Sequence, residues 1–267
     1  MITIFGATGN TGAVVAKHLL DRGKELRVLA RDPGKVAALA GADGAYLLMP
    51  PDNQSPDLLA RNRRVVDVLA AGLAKAGTAH AVLLSSVAAQ EPSGTGPIVS
   101  TYVAERTLSA VRGTRFTFVR AAYFMENLLA NAHPMRNDGV LPVFGGGASF
   151  AFPMVATHDI GLVAAEALAS PPDATEIIEL SGPAEYSFDD AAAAAAKILG
   201  RTVKTLAVPL DAVVPTLTGF GFSANVAGLY REMFEGLGSG TVRFDGKGRS
   251  VRGKATLEDV LRRGLGT

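Results

Sequence analysis

The first twelve residues, MITIFGATGNTG, constrain the chain more than any other stretch. Ile2, Ile4 and Phe5 are apolar and strand-prone. Gly6, Gly9 and Gly12 follow at intervals of three. Val14, Val15, Leu19 and Leu20 then recur as on one face of a helix that ends at Gly23. A strand that turns this tightly into a helix needs residues with no side chain in the way. The first amides of the helix have no partner inside it, and its dipole is positive there. A pyrophosphate satisfies both conditions. The spacing is a relative of the dinucleotide fingerprint, with one residue more between the first two glycines. A purely structural glycine turn is the competing reading. The strand before it and the helix after it favour nucleotide binding.

The rest of the first half alternates strand and helix. Leu26 to Ala30 is a strand, and its tip carries Arg31 where an acid would favour NAD(H). Asp32 before Pro33 suits the start of the next helix, so Arg31, with Lys35, is left to pair a 2′-phosphate. That favours NADP(H) over NAD(H); a plain surface arginine is the alternative. Ala45 to Met49 is a strand halted by Pro50-Pro51, and Asp57 to Gly77 a long helix. Ala81 to Ser85 is so apolar that it belongs in the middle of a parallel sheet. Ser85 and Ser86 stand at its carboxyl end, where open α/β sheets bind ligands. The Gly-, Pro- and Ser-containing loop 90–97 suits a rim of that site.

Beyond it come a helix from Ile98 to Val111, a strand from Arg115 to Arg120, and an excursion through Phe144 and Phe152. A helix from Thr157 to Ser170 and a strand from Glu176 to Leu180 follow. Ser187, with Asp189 and Asp190 behind it, caps a helix to Leu199; a strand at 203–208 and a closing helix at 256–263 complete the pattern. The fold class is α/β: a Rossmann-type doubly wound parallel sheet with a small C-terminal α/β substrate lobe. Residues 1–132 form the NAD(P)-binding domain, with 155–182 returning to it. Residues 133–154 and 183–267 form the smaller lobe, and the cleft between the two takes the substrate.

Composition removes several classes. The net charge of +1 marks no nucleic-acid binder. There is no Cys, and the four His (His18, His80, His133 and His158) have no ligand spacing, so no metal site is expected. No apolar run reaches the ~20 residues of a membrane span. A first strand starting at Met1 leaves no room for a leader, and the expected address is the cytoplasm. The expected partners are a small-molecule substrate and no nucleic acid or membrane, with the chain a monomer or a homodimer.

Taken together, MITIFGATGNTGAVVAKHL, RVLARDPGKV, YLLMPP, LLSSVAA, FVRAAYFMENL, FPMVATHDIGLVAAEAL and IIELSGPAEYSFDDAAAAAAKILGR resemble the NmrA-like branch of the atypical short-chain dehydrogenase/reductases. That branch includes type 2 NAD(P)H:quinone oxidoreductases and azo- and triphenylmethane-dye reductases. The resemblance implies NADP(H) lying across the carboxyl ends of the strands. Gly6, Thr8, Gly9, Asn10, Thr11 and Gly12 would hold its pyrophosphate, and Arg31 its adenosine phosphate. Met49, Pro50, Ser85 and Ser86 would run along it, with Ala122, Tyr123 and Phe124 near the nicotinamide. Tyr123, Phe124 and Asn127 would border the substrate pocket, and Phe144 and Phe152 could join its apolar wall.

Two departures stand out. Only 31–44 separate the second strand from AYLLM, which leaves room for a helix but not for the family's extra strand and second helix. The Tyr-x-x-x-Lys pair of short-chain dehydrogenases is replaced by Tyr102 and Arg106, which are either the catalytic pair or a helix-surface pair. The family's lysine four residues before the position of Glu105 is Thr101 here. Two functions remain open: an NADPH-dependent reductase passing hydride to a quinone-like or other conjugated acceptor, and a non-catalytic NADP(H)-binding redox sensor acting through a protein partner. A serine hydrolase lacks its Gly-x-Ser-x-Gly elbow.

Overall fold

The computed structural model describes residues 1–29, 36–145 and 147–266. In chain order it forms β1 (Ile2–Phe5), α1 (Asn10–Asp21), β2 (Leu26–Leu29), β3 (Gly44–Leu47), α2 (Leu58–Ala76), β4 (His80–Ser86), α3 (Val99–Ser109) and β5 (Arg115–Ala121). Then come β6 (Tyr123–Phe124), α4 (Ala132–Asn137), β7 (Val140–Phe144), β8 (Phe152–Val155), α5 (Thr157–Ala169) and β9 (Glu176–Ser181). The chain closes with β10 (Glu185–Tyr186), α6 (Phe188–Leu199), β11 (Lys204–Val208), α7 (Val213–Gly219), α8 (Ala224–Gly238), β12 (Arg249–Arg252) and α9 (Leu257–Leu265).

Seven strands make one parallel sheet in the order β12-β9-β5-β4-β3-β1-β2. β4 is its middle strand, as its unbroken apolar run requires. Successive side chains point to opposite faces. Ile2, Ile4, Tyr46, Val82, Val119 and Ile178 face α1 and α5. Phe5, Ala45, Leu47, Ala81, Leu83, Phe116 and Phe118 face α2 and α3. α1 and α5 approach closely because Gly161 has no side chain: a Cβ there would lie 2.5 Å from that of Val14. Among the described residues only a 3-10 turn, Val36–Leu39, separates β2 from β3. β2 is therefore the sheet edge, with Val28 exposed, while β1 stays interior.

A second core joins Met125, Leu128, Leu141, Phe152, Met154, Ala191, Val260 and Leu261. It lies under α6 and α9, beside the small sheets β10-β8-β6 and β11-β7. The boundaries read from the sequence need one correction. Residues 249–252 were assigned to the small lobe, yet β12 pairs with β9 and extends the main sheet. Its sequence, RSVR, is too polar to read as a strand; its backbone bonds, not its apolar side chains, place it at the edge.

Local signals fix the helix ends. The Asp57 carboxylate accepts from Ala60 N, and Gly77 closes α2 at φ 64°. Ser187 and Asp190 form a capping box on α6, and Thr256 and Asp259 one on α9.

One buried histidine gives the fold a pH limit. His80 is 1% exposed and shares a hydrogen bond with Thr117 Oγ1 (3.1 Å). Burial, with the nearby Arg115 charge, lowers its pKa from 6.5 to about 4. The unfolded chain then binds a proton between these values that the folded chain refuses, so stability falls as pH drops from 6.5 towards 4. The full loss is about 3 kcal/mol. His80→Leu is expected to be less stable than the parent at pH 7.5 and to lose most of that deficit by pH 4.5 in urea unfolding. A deficit independent of pH would show that His80 does not titrate this way.

Candidate functional site

β1 delivers the glycine turn to the amino end of α1. Gly6 (φ 67°) adopts a left-handed backbone, and Gly9 N donates to Gly6 O at 2.9 Å. A Cβ on Gly12 would collide with Gly6 O, so the helix can start against the turn only with glycine there. The Asn10, Thr11 and Gly12 amides lie in the first turn, where intrahelical partners are lacking. Side chains cap α2, α6, α8 and α9, whereas α1 starts at Gly9 with no side-chain cap and no acid in its first turn. Thr8 and Asn10 are exposed beside it. The Thr11 hydroxyl is turned inward and accepts from the buried Tyr46 hydroxyl at 2.9 Å. Bare amides at a positive dipole, with room for a close approach, fit a dinucleotide's pyrophosphate.

The other expected cofactor residues fall in one row. Met49 and Pro50 follow β3, Ser85 and Ser86 end β4, and Ala122, Tyr123 and Phe124 follow β5; β1, β3, β4 and β5 are neighbours in the sheet. The Ser85 side chain needs a correction. It points to the α3 face and donates to Glu105 Oε1 at 2.6 Å, so its hydroxyl is a structural link and not a free ligand group. Arg31 and Lys35 lie outside the described residues.

Sequence reasoning missed the network that Ser85 joins. Arg120 Nε and Nη2 donate to Glu105 Oε1 and Oε2 at 3.0 and 2.7 Å, a bidentate pair with side chains 6% and 10% exposed. Arg120 Nη1 also reaches Asp245 at 3.3 Å and Gln90 at 3.4 Å, while Gly246 N donates to Glu179. Gln90 in turn donates to Arg243 O at 2.9 Å. The network ties the loop after β4 to the segment before β12. In that loop the buried Ala88 has φ 63°, a left-handed backbone that a non-glycine residue adopts at a cost. The available signal was Arg120 itself, two positions after Phe118 and hence on the same buried face of an apolar strand.

Arg106 lies away from the row. α3 buries Ser100, Ala104, Glu105 and Leu108, which turns Arg106 outward. The Arg106 guanidinium lies 5.6 Å from the Tyr102 ring centre. It borders an open groove of about 820 Å³ with Glu176, Lys247 and Arg249. Thr175, Glu176 and Ile177 of that groove belong to the amino end of β9, remote from the carboxyl ends of the strands. Arg106 is thus exposed beside the ring of the half-buried Tyr102. Thr101 Oγ1 bonds back to Ile98 O at 2.7 Å.

Aromatic residues cluster after β5. Tyr123 packs edge-on against Phe152 (5.6 Å) and Phe188 (6.2 Å). Phe152 is 6% exposed and belongs to the second core, so it supports Tyr123 from behind and does not line a pocket as expected. Phe144 is half-buried and meets Phe234 of α8 at 5.3 Å. α8 lies over this region because two loops hold it. Ser223 N and Oγ donate to Asn53 O and Ser55 O at 2.8 and 2.6 Å, and Leu58 N donates to Asn225 Oδ1 at 3.0 Å. Leu229 O sits where a side chain on Gly96 would be, and Gly94 O abuts Gly236. Tyr230 and Phe234 on α8 were not foreseen; their segment reads as an ordinary helix without the contacts.

Against known proteins, no protein-family model matches the chain. Over 233 residues it is 30% identical to the (4-alkanoyl-5-oxo-2,5-dihydrofuran-3-yl)methyl phosphate reductase of Streptomyces griseus, covering 79% of this chain and 78% of that one. The chain belongs to the NmrA-like atypical short-chain dehydrogenase/reductases. Another relative is the NAD(P)H azoreductase of Xenophilus azovorans, 25% identical over 260 residues, with 88% of this chain and 86% of that one aligned. The fold matches that of the Escherichia coli NADPH-dependent quinone oxidoreductase complexed with NADPH. The TM-score is 0.80 at 20% identity, over 98% of this chain and 99% of the other. Among the described residues no helix is long and apolar enough to cross a membrane. No group of three or more His, Asp or Glu is placed to hold a metal ion either. The NmrA-like assignment rests on sequence identity, and the shared sheet is consistent with it.

Proposed function

We propose that the protein is an NADPH-dependent reductase that passes hydride to a quinone-like or other flat conjugated acceptor. The observation that carries this reading is the start of α1, with no side-chain cap, standing in one row with the aromatic residues that follow β5. Relatives named as reductases of azo compounds and of an unsaturated lactone support it.

The Gly6–Gly12 turn would bind the pyrophosphate, and Met49, Pro50, Ser86 and Ala122 would follow the cofactor towards Tyr123 and Phe124. Bound NADPH supplies hydride from its nicotinamide. Phe124, Phe144 and Tyr123 orient the acceptor and keep water from the transfer path. Among the described residues Arg106 lies exposed away from the row, which suits an acceptor that takes hydride readily and collects its proton from water. The same feature favours the second reading, a redox sensor without turnover. Such a sensor must bind NADP+ and NADPH with different affinities.

Purified protein with NADPH and a 1,4-benzoquinone is expected to oxidise the nicotinamide, read at its absorbance band. Arg31→Ala is expected to raise KM for NADPH about tenfold while leaving that for NADH within about twofold, the loss of one charge-assisted phosphate contact. No oxidation with quinones, dyes or enones would remove the reductase reading. Equal losses with both cofactors would remove Arg31 from the phosphate.

A further inference from the structure

Two tyrosines stand in this aromatic cluster. Tyr123 packs against Phe152 and Phe188. Tyr230 has its ring held edge-on by Phe222 at 5.7 Å and flanked by Phe234 at 6.4 Å. Among the described residues its hydroxyl makes no hydrogen bond, and the residue is half-buried. Its position on α8 is fixed. Leu229, the residue before it, presses its carbonyl into the space over Gly96, in the loop after β4. Phe234, one helical turn on, touches Phe144 at the end of β7. Tyr230 is therefore held over the carboxyl ends of the sheet.

We propose that Tyr230 is the specificity-determining residue of the acceptor site: its hydroxyl donates a hydrogen bond to a carbonyl oxygen of the acceptor, and this selects quinones over conjugated acceptors that have no such oxygen. The inference rests on the reductase reading and names the acceptor class within it. Phe234 and Phe144 offer an aromatic face to a planar ring system, and Tyr230 stands beside it with a donor that no described residue uses. An acceptor that covers this hydroxyl without offering it a partner atom leaves it unpaired, which disfavours that acceptor. Burial raises the Tyr230 pKa, as it does that of Tyr123, so the phenol keeps the proton with which it donates. In the step, hydride from NADPH adds to the quinone, NADP+ forms, and the electron pair displaced from the ring comes to rest on a quinone oxygen. Tyr230 holds that oxygen through its O–H without giving up the proton. Water supplies the one proton that completes the hydroquinone.

The test compares the parent with Tyr230→Phe and Tyr123→Phe on two acceptors, a 1,4-benzoquinone and a triphenylmethane cation dye, which carries no carbonyl. For Tyr230→Phe the ratio of kcat/KM for quinone to that for dye is expected to fall about tenfold, the discrimination of one hydrogen bond. Tyr123→Phe should change that ratio less than threefold. Equal losses on both acceptors, or an unchanged ratio, would make Tyr230 part of the aromatic wall only and overturn the proposal. A fall in the ratio from Tyr123→Phe alone would assign the donor to Tyr123 and overturn it too. Should the parent oxidise NADPH with neither acceptor, the reductase reading fails first, a result distinct from an unchanged ratio, and the inference falls with it.

Discussion

Gly12→Ala is expected to lower NADPH affinity by roughly 100-fold or more, about 3 kcal/mol of binding. The added Cβ would run into Gly6 O, a backbone atom that cannot swing aside. α1 must then back away from the turn, and the amides of its first residues leave the positions where they could converge on a diphosphate. The native state bears part of the strain, about 1–3 kcal/mol for overpacking at a tight contact. Gly23→Ala provides the control. Gly23 also has a positive φ (70°), but no atom lies within 4 Å of a Cβ there. It should cost about 1 kcal/mol of stability through backbone strain and leave NADPH affinity intact. Calorimetric titration of both variants separates the two effects. Parent-like affinity in Gly12→Ala would mean that the cofactor does not rest on this turn.

The second large effect concerns Arg120. Arg120→Met is expected to destabilise the protein by about 3–5 kcal/mol at pH 8, because it leaves the Glu105 carboxylate buried without its partner. For a chain of this size, that lowers Tm by on the order of 10 °C. Asp245 and Glu179 also face Arg120, so its removal leaves three carboxylates converging without their cation. Replacing the pair together, Arg120→Met with Glu105→Leu, should recover much of the loss, since no buried charge then lacks a partner. A single variant as stable as the parent, or a double variant no more stable than the single one, would contradict this account of the network.

What the sequence made legible was local. The turn of Gly6, Gly9 and Gly12, the Asp57 cap with Gly77, and the Ser187 capping box each lie within a few residues of what they control. The apolar run of β4 gave its central place because period and burial are written in the run itself. What stayed hidden was non-local. Arg120 meets Glu105 and Asp245 across 15 and 125 positions, and nothing near Arg120 names those partners. Ser85 was legible as a hydroxyl at a strand end, but its direction follows from which face of β4 it occupies, and that led to Glu105. β12 has no apolar signature, since an edge strand holds on by its backbone. Tyr230 became visible only when α8 was seated on the loops after β3 and β4. Arg106 shows the converse: a motif-like spacing to Tyr102, yet a side chain that helix geometry turns outward.

The most direct test is a crystal structure grown with saturating NADPH. The account predicts the diphosphate within hydrogen-bonding distance of the backbone amides of the Gly6–Gly12 turn, with the nicotinamide beside Ala122 under Tyr230. A diphosphate bound elsewhere, or that turn covered by a neighbouring side chain while NADPH is held, would contradict it.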